Sequence, residues 1–319
     1  MKDKSFKRVL WLSPPNRWRF CFAKPAPIPH ERKLRKAKAK VIYMKKFGVG
    51  VQLYSVRGDM DKDFEGTLKK VADMGYEYVE FAGYYGKTSE EIKAILDKLG
   101  LKCISVHQGV EFFDKDPQAG VDFLKGFGVK YVAIPWYDKR KLENDETWAA
   151  ASAKFNAVSA LLQKNGMKLL YHNHDFEYKK LPDGRYIHDR IMADVDGLDP
   201  EFDTCWVHYA GIDPTKVIKD YSGRVDVVHL KDFACKNLGG GPVYALINED
   251  GKAQGGGDKA ESGFEYRPLG MGLQDVPAIL AACEAAGTEY VIVEQDESKD
   301  RPPMEAIEIS RKYLASLGL

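Results

Sequence analysis

Residues 167–178 read MKLLYHNHDFEY, an apolar run from Met167 to Tyr171 that ends in His172, Asn173, His174, Asp175 and Glu177. A short hydrophobic segment flanked by turn signals reads as a buried strand. Alternate residues of a strand share a face, so His172 and His174 point the same way. Three later segments repeat the design of an apolar strand ending in metal-ligand residue types: Glu201-Phe202-Asp203, Val227 to Asp232 (VVHLKD) and Val291 to Asp296 (VIVEQD). If those ends converge, they build a site of His, Asp, His and Glu.

Outward from this stretch the chain alternates with a period of about 30 residues. Before it come strand readings at 48–56, 76–83, 101–108 and 129–136. Helical readings at 64–75, 88–100, 121–128 and 145–166 separate them, several closed by a glycine in the C-cap position. After it, an irregular stretch with a short helix at 185–194 leads to a sixth strand read over 202–211, a helix at 214–223 and a seventh strand at 225–233. A Gly-rich segment, 234–272, interrupts the rhythm. A helix at 275–287, an eighth strand at 289–297 and a closing helix at 302–318 complete it. Eight strands with mostly helical connections predict an α/β fold, a single-domain (β/α)8 TIM barrel over residues 47–319. Such barrels carry their chemistry at the C-terminal ends of the strands. Every candidate above lies there, as do Glu80, His107 and Trp136. His208 is set aside, because five residues beyond Asp203 an ideal strand turns it to the opposite face.

Charge divides the chain. Residues 1–46 hold 15 Lys+Arg and 2 Asp+Glu, a net of +13; the rest then holds 48 − 15 = 33 basic and 47 − 2 = 45 acidic residues, a net of −12. An acidic globular part argues against a nucleic-acid partner. The basic stretch, with SPPNRW, KPAPIP and ERKLRKAKAK, sustains no helical or strand period. It reads as a disordered extension, or as sequence ahead of a start at Met44, and it lacks the apolar core of a secretory signal. The five cysteines, Cys21, Cys103, Cys205, Cys235 and Cys283, form no short-spaced pair and read as reduced thiols. The expectation is a cytoplasmic protein that acts on a small molecule, with neither nucleic acid nor membrane as partner; a homo-oligomer is left open.

Two imidazoles and two carboxylates from four strands can hold a divalent ion. Hard oxygen with borderline nitrogen donors, and no cysteine, favours Mn²⁺ or Co²⁺ over Mg²⁺ or Zn²⁺. The competing reading is a hydrogen-bonded network that binds a sugar without metal. His229 and Glu294 each follow branched apolar residues directly, and Asp203 comes next. Between His172 and His174 the strand pattern leaves open which ligates and which meets substrate.

GVQLYSVR, YVEFAG, YHNHDFE, EFDTCWV, VVHLKDF, PLGMG and VIVEQD, in that order over residues 47–319, resemble the sugar phosphate isomerase/epimerase branch of the xylose-isomerase-like TIM-barrel superfamily. The resemblance implies a metal held by a Glu, Asp, His, Glu quartet at the ends of strands five to eight. Asp203, His229 and Glu294 match its last three positions. The first falls on His172, a departure from the family's Glu. The resemblance makes Glu294 and Glu177 the candidate catalytic residues, and His174, Glu80, His107, Trp136 and Lys231 the candidate substrate contacts. It implies a metal-dependent sugar or sugar phosphate isomerase or epimerase acting through an enediolate beside a carbonyl. The alternatives are an inosose-type or keto-sugar dehydratase on the same residues, or a sugar-binding protein without catalysis. No strand-turn-helix context surrounds GGGP or GGGD, so neither reads as a nucleotide motif.

Overall fold

Glycine at positions 48 and 50 lets the first strand line a filled barrel. A Cβ on Gly48 would stand 2.6 Å from the Tyr290 ring, and one on Gly50 2.6 Å from the Ile292 side chain. The structure is a computed structural model, and it describes residues 47–239, 246–247, 253–254 and 263–319. The reading of residues 1–46 as an extension falls outside the described residues.

Eight strands, β1 Gly48–Gln52, β2 Tyr78–Phe81, β3 Lys102–His107, β4 Tyr131–Ile134, β5 Lys168–His172, β6 Asp199–Asp203, β7 Val227–Leu230 and β8 Tyr290–Val293, close into one barrel. All neighbours pair in parallel, and β8 returns to β1 through Gly48↔Tyr290 and Val51↔Val293. The predicted eightfold alternation is therefore present. Strands such as YVAI of β4 and YVIV of β8 are apolar on both faces because helices cover them outside and side chains fill them inside. Ile104, Tyr131, Ala133, Leu170, Val227 and Ile292 make the interior plug. Helix signals in the sequence act as read: Thr88 and Glu91 form a reciprocal cap on the helix Ser89–Leu99, and Gly100 ends it at φ 69°.

Three local readings are corrected. The sixth strand is Asp199–Asp203, and Thr204–Tyr209, expected to extend it, is a short helix. The cause is Asp203, whose Oδ1 accepts from the backbone N–H groups of Cys205 (2.8 Å) and Trp206 (3.2 Å) and so starts a helix at the strand's end. His208 consequently lies on that helix, 2.8 Å from the Gln274 side chain. The seventh strand ends at Leu230; Asp232–Ala234 leaves the barrel and pairs antiparallel with Glu265–Arg267. At the first strand, Leu53–Val56 is a 3-10 turn.

Candidate active site

Above the apolar plug every strand but β4 turns a polar side chain inward. Along β5 the inward row is Lys168, Leu170, His172, then His174, so the two histidines do share a face. Register sets them beside their neighbours: His172 is level with Glu201, Asp203 with His229, and Gln52 with Glu80. The inward groups form two tiers.

The lower tier is Glu80, His107, Glu201 and His229. Glu80 Oε2 lies 2.6 Å from His229 Nε2 and 3.3 Å from His107 Nε2, and Gln52 Nε2 donates to it at 2.7 Å. Glu201 Oε2 lies 2.9 Å from His107 Nε2 and 3.3 Å from His229 Nε2. Burial would raise the Glu80 carboxyl, but His107 and His229 outweigh it and hold it at about 2. Burial and the adjacent Glu80 charge instead push Glu201 up to about 7. Against the cost of burial, Glu201 and Glu80 hold the His229 imidazole well above its usual range.

The upper tier is His172, Asp203, Lys231 and Glu294. Lys231 is 1% exposed, and its ammonium sits 2.8 Å from Asp203 Oδ2, 2.8 Å from Glu294 Oε2 and 3.0 Å from Asp296 Oδ1. A lysine this buried persists as a cation only because carboxylates surround it. His229 Nδ1 reaches Glu294 Oε2 at 3.1 Å, so His229 links the tiers. Although burial disfavours its charge, Lys231 and His229 hold Glu294 well below the usual carboxylate range. Asp203 moves the other way, to about 6, because burial outweighs Lys231. His172 is pushed well below its usual range by burial and by His107 and His229, and His174 down to about 3 by burial and Lys231. Both imidazoles are neutral near pH 7 and offer lone pairs.

These groups floor a cavity of about 280 Å³ at the C-terminal end of the barrel. His107, His172, His174, Lys231 and Glu294 line it, and Tyr54, Trp136 and Asp296 form its walls. Of the sequence candidates, Asp203, His229, Glu80 and Glu177 are not among the residues that line the opening. Glu80 lies beneath it, in the lower tier. Glu177 is turned away: its Oε1 accepts from Tyr171 Oη (2.8 Å) and its Oε2 from the His174 backbone N–H (2.8 Å). Glu201 and Asp296 belong to the site and were not singled out from the sequence. Each keeps the two-residue spacing from a chosen residue, Asp203 and Glu294, and that spacing was the available signal. Asp232, just past β7, is a brace: its carboxylate accepts from the N–H groups of Phe233 (2.9 Å), Gly270 (2.9 Å), Gly272 (3.0 Å) and Gln274 (3.0 Å), tying PLGMG to the strand end.

The residues suit a divalent ion. His172, Asp203, His229 and Glu294 offer ligand atoms that all lie within 4.8 Å of one another, and all four are buried. Asp203 uses Oδ1 for its helix cap, which leaves Oδ2 facing the site, 3.6 Å from His172 Nε2. The described cysteines are free and lie outside it.

Comparison with known proteins agrees with the architecture. The sequence model of the xylose isomerase-like TIM barrel family matches residues 68–317. An inosose dehydratase of Clostridium perfringens is 26% identical over 209 residues, 56% of this chain and 68% of that protein. Across such dehydratases the matched stretch covers 61% to 68% of their length in the cases compared. A sugar phosphate isomerase/epimerase from Parabacteroides distasonis superimposes with a TM-score of 0.66 at 22% identity, over 86% of this chain and 95% of that one. The IolI protein, solved with a zinc atom bound, superimposes with a TM-score of 0.57 at 15% identity, over 85% of this chain and 97% of that one. Among the described residues no helix is long and apolar enough to cross a membrane.

Proposed function

This chain belongs to the xylose isomerase-like TIM barrel family, and from that premise we propose that it is an enzyme that removes a proton from the carbon beside the carbonyl of a keto-sugar or keto-polyol. The observation that carries the reading is the Glu294 carboxylate on the cavity floor, held ionised between the Lys231 ammonium at 2.8 Å and His229 at 3.1 Å. Both contacts use Oε2, so Oε1 is the oxygen that takes the proton. The Lys231 ammonium, held by three carboxylates at the cavity lining, supplies positive charge beside the place where negative charge develops on the substrate oxygen. His174, neutral, hydrogen-bonds a hydroxyl. Tyr54 and Trp136 offer flat apolar faces to the ring.

His172, Asp203, His229 and Glu294 would hold the divalent ion. Bound there, it would act as a Lewis acid toward the carbonyl, and the donor set suits Mn²⁺ or Co²⁺. Glu177 takes a positioning role here, fixing the His174 backbone from behind.

After proton removal, either the β-hydroxyl leaves as water, taking up the proton held by Glu294, or the proton returns to a new place. The likeness to inosose dehydratases supports the first outcome, dehydration. Isomerisation or epimerisation is the second reading, carried by His174, which faces the cavity beside Glu294 as a second group able to pass a proton. Incubation with a keto-inositol and with ketoses in D₂O, with Mn²⁺ present, separates the two by NMR. Loss of water with deuterium entering at the β-carbon, as the resulting enol ketonises, marks a dehydratase; deuterium with a rearranged sugar marks an isomerase. Absence of deuterium uptake by every keto compound, or uptake that persists in Glu294→Gln, would refute the assignment.

A further inference from the structure

The lower tier has a use that neither catalysis nor the quartet accounts for. From its geometry we propose a second cation site one layer below the first, formed by His107 Nε2, His172 Nδ1, Glu201 Oε2 and His229 Nε2, and suited to Zn²⁺ or Co²⁺.

Three imidazole nitrogens surround one carboxylate oxygen. From Glu201 Oε2 the distances are 2.9 Å to His107 Nε2, 3.4 Å to His172 Nδ1 and 3.3 Å to His229 Nε2. In a tetrahedral site with bonds of about 2.0–2.1 Å, ligand atoms stand about 3.3 Å from one another. The four groups offer ligand atoms that all fall within 4.8 Å of each other. A compact hydrogen-bond network would give similar spacings, but it would satisfy its members. Here His172 Nδ1 and Glu201 Oε1 are buried without a hydrogen-bond partner, which is uncommon for buried polar atoms. Charge agrees as well: Glu201 and Glu80, whose Oε2 also faces this point, together balance one divalent ion. His107 and His172 line the open cavity, so an ion has a way in.

The two sites differ in donors and share two side chains. Three imidazoles with one carboxylate favour the borderline-soft Zn²⁺ or Co²⁺, whereas two imidazoles with two carboxylates favour harder Mn²⁺. His172 would ligate below through Nδ1 and above through Nε2, and His229 below through Nε2 and above through Nδ1. A neutral imidazole has one lone pair to give, so one ion excludes the other. The identity of the metal therefore decides which tier is filled, and Zn²⁺ in the lower tier holds His172 and His229 away from the upper one.

Crystals of the full chain soaked separately in Zn²⁺ and in Mn²⁺, with anomalous maps at each edge, test this directly. The Zn²⁺ peak is expected within bonding distance of His107 Nε2 and Glu201 Oε2, and the Mn²⁺ peak beside Asp203 and Glu294. A Zn²⁺ peak only between Asp203 and Glu294, or none at either place, overturns the second site. Zn²⁺ below with no Mn²⁺ above leaves it standing and removes the metal from the proposed function. In solution, Zn²⁺ affinity read by competition with a chromogenic chelator should weaken at least about tenfold in His107→Gln and stay unchanged in Asp203→Asn. Unchanged binding in His107→Gln overturns the proposal.

Discussion

Replacing Glu177 by Gln should remove one steep component of the pH dependence of stability. Burial pushes the Glu177 carboxyl from 4.5 up to about 8, even though the Tyr171 hydroxyl and the His174 N–H pull the other way. Its folded-state pKa is raised, so its contribution is fully present below about 4.5 and is lost as pH rises toward 8. In that window the folded chain keeps a proton that the unfolded chain releases. Stability therefore falls by about 1.4 kcal/mol per pH unit from this group alone, and by up to roughly 5 kcal/mol across the whole window. Glutamine matches the shape and does not titrate. Its Oε1 can accept from the His174 N–H, and its amide can donate to Tyr171 Oη. Urea unfolding of both proteins at pH 5.5, 6.5 and 7.5 isolates the effect, because Glu201 and Asp203, also raised, are common to both. The variant should gain about 2–3 kcal/mol relative to wild type between the first and last pH. Parallel stability curves would show that Glu177 is already ionised in the fold and that its burial has been misjudged.

Asp203 separates two roles by substitution: Asp203→Asn should lose Mn²⁺ yet keep its helix cap, whereas Asp203→Ala should also lose about 1–2 kcal/mol of stability, as read by melting and elemental analysis after loading with Mn²⁺. At the paired histidines, His172→Ala should lower metal affinity and His172→Glu should restore it, while His174→Ala retains the ion and loses turnover; the reverse pattern would mean that the roles are exchanged. Mn²⁺ affinity should rise with pH, because Glu201 and Glu80 hold His229 protonated and the ion must displace that proton; calorimetry in buffers of different ionisation enthalpy would detect the proton released. Gly272→Ala should destabilise by about 2–3 kcal/mol, since its Cβ would collide with the Asp232 carboxylate and the Phe233 carbonyl and break the brace under PLGMG; an unchanged urea midpoint would remove Asp232 from that role.

The fold is legible in the sequence where the physics is local. Apolar strands ending in polar residues, separated by capped helices, predict the eight-stranded barrel, and the two-residue period of a strand puts His172 with His174 on the inner face. The sequence is silent where one local signal competes with another. TCWVHY after Asp203 is apolar enough for a strand, yet the Asp203 carboxylate caps a helix there. Glu201 shared Asp203's face and was overlooked, because nothing in the local pattern distinguishes an inward carboxylate with partners from one without.

By itself the sequence determined the barrel, the end of it at which polar side chains gather, and which strand termini face inward, because helix and strand periods, caps and turns depend on residues a few positions apart. Only the tertiary structure decided which atoms meet. Lys231 draws its carboxylates from Asp203, Glu294 and Asp296, and His229 reaches Glu80 and Glu201 below and Glu294 above. Glu177, six residues from Tyr171, faces away from the cavity. These meetings depend on how eight strands register and close around one axis, and the distance between side chains on different strands is absent from the spacing along any one of them.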